Sequence, residues 1–181
     1  MNVKGIRTQA DLYFMFKETI VHEARHSEIT YCSVELEYRI KPSRKRADLV
    51  LFILGQDDSI HPFLVIETKK SKFRKVETDY GEIIWLPELG EMTVREYIGK
   101  LIGTEGDFKY HRNALRQVQE YAKCLDAPFF AVCYANSLFI GSFVRQKGLF
   151  YSRVNYTRDF GAKILSELAQ LYKELKSMDH K

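Results

Sequence analysis

Two apolar, β-rich runs, "RADLVLFIL" at 46–54 and "HPFLVIETKK" at 61–70, flank the short polar stretch "GQDDS". Runs of this kind bounded by turn formers read as strands, and the loop between them reads as a hairpin. The preceding "YCSVELEYRI" at 31–40 alternates and is also β-rich, and the turn-like "KPSRK" separates it from the hairpin. The three runs predict an antiparallel meander.

Around this meander the remaining periodicities place helices and further strands. Thr8 or Asp11 caps a helix predicted to run to about residue 27, because Leu12, Phe16 and Ile20 recur at helical spacing. A second helix is predicted over 109–125, strands over 128–134, 138–144 and near 149–154, and an amphipathic helix over about 159–175. Between them, 71–106 is irregular and punctuated by Gly81, Pro87, Gly90, Gly103 and Gly106, with Thr93 as cap for a short helix over 94–102. The length of 181 residues and 45% apolar content suit one domain carrying this segment as an acidic insertion.

Charge is distributed more tellingly than its sum of +4 suggests. Basic clusters at 41–46 and 69–75 oppose a stretch from Val76 to Asp107 with eight acidic and two basic residues. No apolar run reaches the ~18 to 20 residues of a membrane span, and no signal-peptide core is present, so a cytoplasmic protein away from membranes is expected. Cys32, Cys124 and Cys133 are odd in number and widely spaced, which predicts reduced core thiols.

Alternation along 63–69 sets Phe63, Val65, Glu67 and Lys69 on one sheet face. A hairpin symmetric about Asp57 and Asp58 sets Asp48 opposite Glu67. Directly opposed residues have Cβ atoms roughly 4.5 to 5.5 Å apart, so two carboxylates and one ammonium gather at one end of the sheet. Adjacent carboxylates repel unless a cation sits between them, and hard oxygen ligands suit Mg²⁺ or Mn²⁺. Lys69 would orient an attacking water, and Lys70, Lys72, Arg74 and Lys75, directly downstream, suit a phosphate backbone. The bland reading of the three charges is a salt-bridge network on a solvated strand end.

In "RADLVL", "VIETK" and "RQVQEY" the chain resembles the PD-(D/E)xK nuclease superfamily, in a form similar to the N-terminal nuclease domain of type I restriction enzyme R subunits. The resemblance runs over about residues 10 to 142, with Ala47 where the family has proline. It implies an α/β restriction-endonuclease-like core, a central mixed sheet flanked by helices, and Mg²⁺- or Mn²⁺-dependent phosphodiester hydrolysis with DNA favoured. It implies metal ligands at Asp48, Glu67 and the Thr68 carbonyl, Lys69 as the water-positioning group, and Gln117 and Tyr121 as the Q-x-x-x-Y pair on the next helix. The stretch between Lys69 and Gln117 is longer than such a domain requires, and no G-x-x-x-x-G-K-[ST] phosphate loop occurs. The chain is therefore expected either to be a stand-alone nuclease, which could pair with itself, or to work with separate motor and specificity subunits. The alternative is a non-catalytic nucleic-acid-binding or assembly module that keeps the fold.

One string competes with this reading. Residues 22–26, "HEARH", match H-E-x-x-H, which on a helix presents two histidines to zinc. The other histidines, His61, His111 and His180, lie in no zincin-like context, so the match reads as coincidence. Glu23 falls on the first helix's apolar stripe, and the resemblance implies a metal-site glutamate from that helix, with Glu28 as runner-up.

Overall fold

The computed structural model describes residues 8–69, 77–78, 81–82, 91–93, 107–134, 137–143, 147–151 and 154–178. Helix α1 (Thr8–His22) buries Leu12, Met15, Phe16 and Thr19 at three- and four-residue intervals, the spacing of one helix face. It stops five residues short of the expected end at 27. Ser27 takes a left-handed φ of 56°, and the chain turns back so that strand β1 (Arg25–His26) pairs with the start of β2 (Ile29–Arg39). Sheet pairing has captured residues that helical periodicity alone assigns to α1.

The meander forms as expected: β2, β3 (Arg46–Leu54) and β4 (Ile60–Lys69) are antiparallel neighbours. Beyond them come the short pair β5 (Glu77–Thr78) and β6 (Gly81–Glu82), strand β7 (Glu91–Thr93), helix α2 (Asp107–Cys124), strands β8 (Phe129–Tyr134), β9 (Leu138–Ser142) and β10 (Lys147–Tyr151), and helix α3 (Arg158–Met178). The main sheet has eight strands in the order β1-β2-β3-β4-β8-β9-β10-β7. β4 and β8 run parallel, while the other neighbouring pairs are antiparallel. The chain is thus an α/β protein with a mixed sheet flanked by helices.

The acidic segment is not wholly separate from this core, because β7 hydrogen-bonds β10 and closes one edge of the sheet. The helix expected over 94–102 lies outside the described residues.

Apolar residues explain the layers. One cluster joins Leu12 and Phe16 of α1 and Ile164, Leu165 and Leu168 of α3 to Leu49, Leu51, Leu64 and Ile66 of the sheet. The other joins Ala114, Leu115, Val118 and Ala122 of α2 to Val50, Val65, Phe130 and Val132. Helices therefore cover both faces, which is why β3 and β4 read as nearly unbroken apolar runs. Phe63 departs from strict alternation: Leu51 pairs with Leu64 but Phe52 with Pro62, and this bulge turns Phe63 into the α1/α3 cluster, away from Val65.

Among the described residues no helix is long and apolar enough to cross a membrane. Of the cysteines, all free, Cys133 is buried and its thiol pushed up to about 12 by burial, Cys32 is half-buried, and Cys124 is exposed at the end of α2 rather than in the core.

Candidate active site

Beyond the bulge the β3–β4 register runs Leu51/Leu64, Val50/Val65 and Leu49/Ile66, and its next step sets Asp48 against Glu67. Past Leu49 the two strands are no longer laddered. The Thr68 amide instead donates to Asp48 Oδ2 at 2.7 Å, and the Thr68 hydroxyl donates to the same oxygen at 2.7 Å. A strand residue projects its amide and its carbonyl to the same edge, so the Thr68 carbonyl also faces the gap beside Asp48. Lys69 Nζ donates to Glu67 Oε1 at 2.7 Å. Glu67 and Lys69 continue the sheet face of Val65 that α2 covers, and Asp48 meets Thr68 from the neighbouring strand. The site thus lies at the carboxyl ends of the parallel pair β4 and β8, the end of an open α/β sheet where ligands bind.

Glu67 is only 6% exposed, and its Oε2 is buried without a hydrogen-bond partner. Burial raises its carboxyl above the ordinary glutamate range; the hydrogen bond and charge of Lys69 oppose this, while the charges of Asp48 and Glu37 add to it. An unbonded buried carboxylate oxygen is costly unless a proton or a cation serves it. The donor set of Glu67 Oε2, Asp48 and the Thr68 carbonyl is all oxygen, and it fits Mg²⁺ or Mn²⁺. Among the described residues no three His, Cys, Asp or Glu side chains already stand together as a finished ligand group.

Gln117 and Tyr121 are brought together by their position on one face of α2, where Gln117 Nε2 donates to Tyr121 Oη at 2.9 Å. Tyr121 is buried in the cluster that holds Ala47, Val50 and Val65, on the side of the sheet that carries Glu67 and Lys69. Lys45 lies over its ring, 5.9 Å from the centroid, and pairs with Glu120 at 2.6 Å. Lys70, Lys72, Arg74 and Lys75 lie outside the described residues.

Glu23 does not join the site. It follows the last residue of α1 and is exposed, with its amide closing on the Thr19 carbonyl. The site lies by the opposite end of α1, where Gln9 touches β3. Fourteen residues at ~1.5 Å each put Glu23 about 20 Å from Gln9 along the axis. Glu28, exposed in the β1–β2 turn, is no nearer replacement. The same early end of α1 undoes the zinc pattern, since His22 closes the helix while His26 belongs to β1, and the two cannot share a helix face.

Two residues near the carboxylates escape sequence reading. Glu37 lies between the ladder pairs Leu36/Leu49 and Tyr38/Ala47, opposite Asp48, and has a left-handed φ of 50°. Gln9 Nε2 donates to Glu37 Oε1 at 2.9 Å and to the Asp48 carbonyl at 3.2 Å. The alternation of 31–40 gives no sign of that backbone turn; the only signal is a glutamate on the strand next to Asp48.

The turn between β3 and β4 holds Asp57 and Ser59, and β4 begins with Ile60 and His61; Asp, Ser and His are residue types shared with hydrolase triads. Ser59 Oγ and Asp57 Oδ1 both meet His61 Nε2, at 2.5 and 3.4 Å, so the carboxylate does not brace the other ring nitrogen as a relay needs. Ser59 instead caps Asp57 through hydroxyl and amide and helps lower its carboxyl to about 2. No protein-family model, curated protein or solved structure matches this chain.

Proposed function

We propose that the chain is a metal-dependent nuclease with a restriction-endonuclease-like core that hydrolyses phosphodiester bonds, DNA being the favoured substrate. One observation carries the proposal: the buried, unpartnered Oε2 of Glu67 beside Asp48, at the ligand-binding end of a mixed sheet. A salt-bridge network on a solvated strand end accounts for neither the burial nor the unbonded oxygen.

Each residue then has a chemical part. Glu67, Asp48 and the Thr68 carbonyl would hold Mg²⁺ or Mn²⁺, and Thr68 fixes Asp48 through two hydrogen bonds to one oxygen. When bound, the cation supplies Lewis-acid compensation for charge building on a phosphate and makes a nearby water more acidic. Lys69, held by Glu67, would orient the attacking water and offset charge on the phosphate oxygens. Gln117 and Tyr121 support the site or the nucleic acid, and Lys70, Lys72, Arg74 and Lys75 bind successive phosphates. Work in the cytoplasm, self-pairing to cut both strands, or service to separate motor and specificity subunits belongs to the same proposal.

The test is incubation of the purified chain with linear, circular and branched DNA and with RNA, in Mg²⁺, Mn²⁺ or chelator. The wild type is expected to cut DNA only with metal, while Glu67→Gln and Lys69→Met each lose about 100-fold or more. Metal-independent cutting, or undiminished cutting by both variants, would remove the assignment. Tight DNA binding by the wild type without cleavage would replace it with the non-catalytic binding module.

A further inference from the structure

We propose that Glu37 supplies the third carboxylate of the cation site, with Gln9 as its positioning residue. This rests on the reading of Asp48 and Glu67 as cation ligands and adds a ligand from β2, a strand to which neither the resemblance nor the sequence pattern assigns a role.

Four observations point to it. Among the described residues, Glu37 is the non-glycine residue with a positive φ inside a strand; Ser27, Asp58 and Asp126 have theirs in turns. A left-handed residue in a long ladder persists only where its surroundings impose it, and such positions concentrate at functional sites. Continued from the neighbouring ladder pairs, register sets Glu37 opposite Asp48 and Asp48 opposite Glu67, so three adjacent strands bring three acidic residues to one end of the sheet. Gln9 spends both amide protons there, one on Glu37 Oε1 and one on the Asp48 carbonyl. It anchors Glu37 without cancelling its charge, as a lysine or arginine would have done. Finally, Glu67 Oε2 is buried and unpartnered, and the charge of Glu37 is near enough to bear on that carboxyl, so the cluster contains an oxygen in need of a cation.

Glu37 is exposed, so its side chain can turn from Gln9 toward a bound ion without disturbing the core. Mg²⁺ keeps several waters and takes one or two carboxylates directly, so contact through a water suits Glu37 as well as direct ligation.

The experiment is Mn²⁺ titration of the full chain, followed by electron paramagnetic resonance of the unbound ion, with melting curves recorded in chelator. Glu37→Gln is expected to weaken Mn²⁺ binding about tenfold or more. Gln9→Ala should weaken it less, and Glu28→Gln, in the β1–β2 turn, should leave it unchanged. In chelator Glu37→Gln should melt at or above the wild-type temperature, because the substitution removes like-charge repulsion. Wild-type affinity in Glu37→Gln, with binding lost in Glu67→Gln, overturns the role of Glu37 and leaves the Asp48–Glu67 site standing. A lowered melting temperature in chelator marks Glu37 as structural and overturns the proposal too. Failure of the wild type itself to bind Mn²⁺ removes both.

Discussion

Glu67 owes its properties to its neighbours. An isolated glutamate at a strand end would be solvated, but here burial raises its carboxyl, with Asp48 and Glu37 adding to the effect and Lys69 opposing it. A folded value above the unfolded one, about 4.3, means that the folded state holds the proton more tightly. That contribution to stability is fully present below the unfolded value and is lost as pH rises through the folded one. Glu67→Gln stays neutral throughout, so without metal its melting temperature should move in its favour relative to wild type as pH rises from 4 towards neutrality. Thermal melts in chelator at several pH values check this, and a gap independent of pH would contradict it. Alternation along β4 put Glu67 and Lys69 on one face, and the register expected of the hairpin brought Asp48 beside them, because both are local properties of neighbouring strands. Glu37 and Gln9 were not legible, since a left-handed turn inside a strand and a contact from a distant helix leave no periodic trace.

At the scale of elements, the junction of α1 with α3 depends on one small residue. A Cβ added at Gly161 would run into the hydroxyl of Thr19, which is fully buried and donates to the Met15 carbonyl at 2.7 Å. Thr19 is short and β-branched, so it cannot swing aside as a long side chain would. Gly161→Ala should therefore push the helices apart and cost about 1–3 kcal/mol, read as a fall in Tm of about 2–4 °C per kcal/mol. Adding Thr19→Ala should recover part of that loss by removing the atom in the way; no recovery would mean that the collision is not the cause. The meander and the later helices and strands were predicted close to their observed limits, because turn formers bound them. The end of α1 was not, because Glu23 to Arg25 favour a helix and pairing with β2 overrides that preference.

Over the whole molecule, the parallel contact of β4 with β8 ties the meander to the second half of the chain, and α2 bridges the two strands over one face. Both apolar clusters share the same central strands, so the two faces should melt together. Leu165→Ala on the α3 side and Leu115→Ala on the α2 side should each cost about 2–5 kcal/mol and shift one common unfolding transition. Separate transitions in calorimetry would instead show two independently folding parts. The sequence by itself determined the elements that alternation, helical spacing and turn chemistry encode within a few residues, and with them the Asp48, Glu67 and Lys69 cluster. Tertiary structure alone decided that β4 and β8 lie side by side, that β7 closes the sheet edge, that Glu23 stands at the far end of its helix from the carboxylates, and that Gln9 and Glu37 meet beside Asp48. Those outcomes depend on contacts between residues far apart in the chain, and they are settled by how the whole set of apolar faces is buried together.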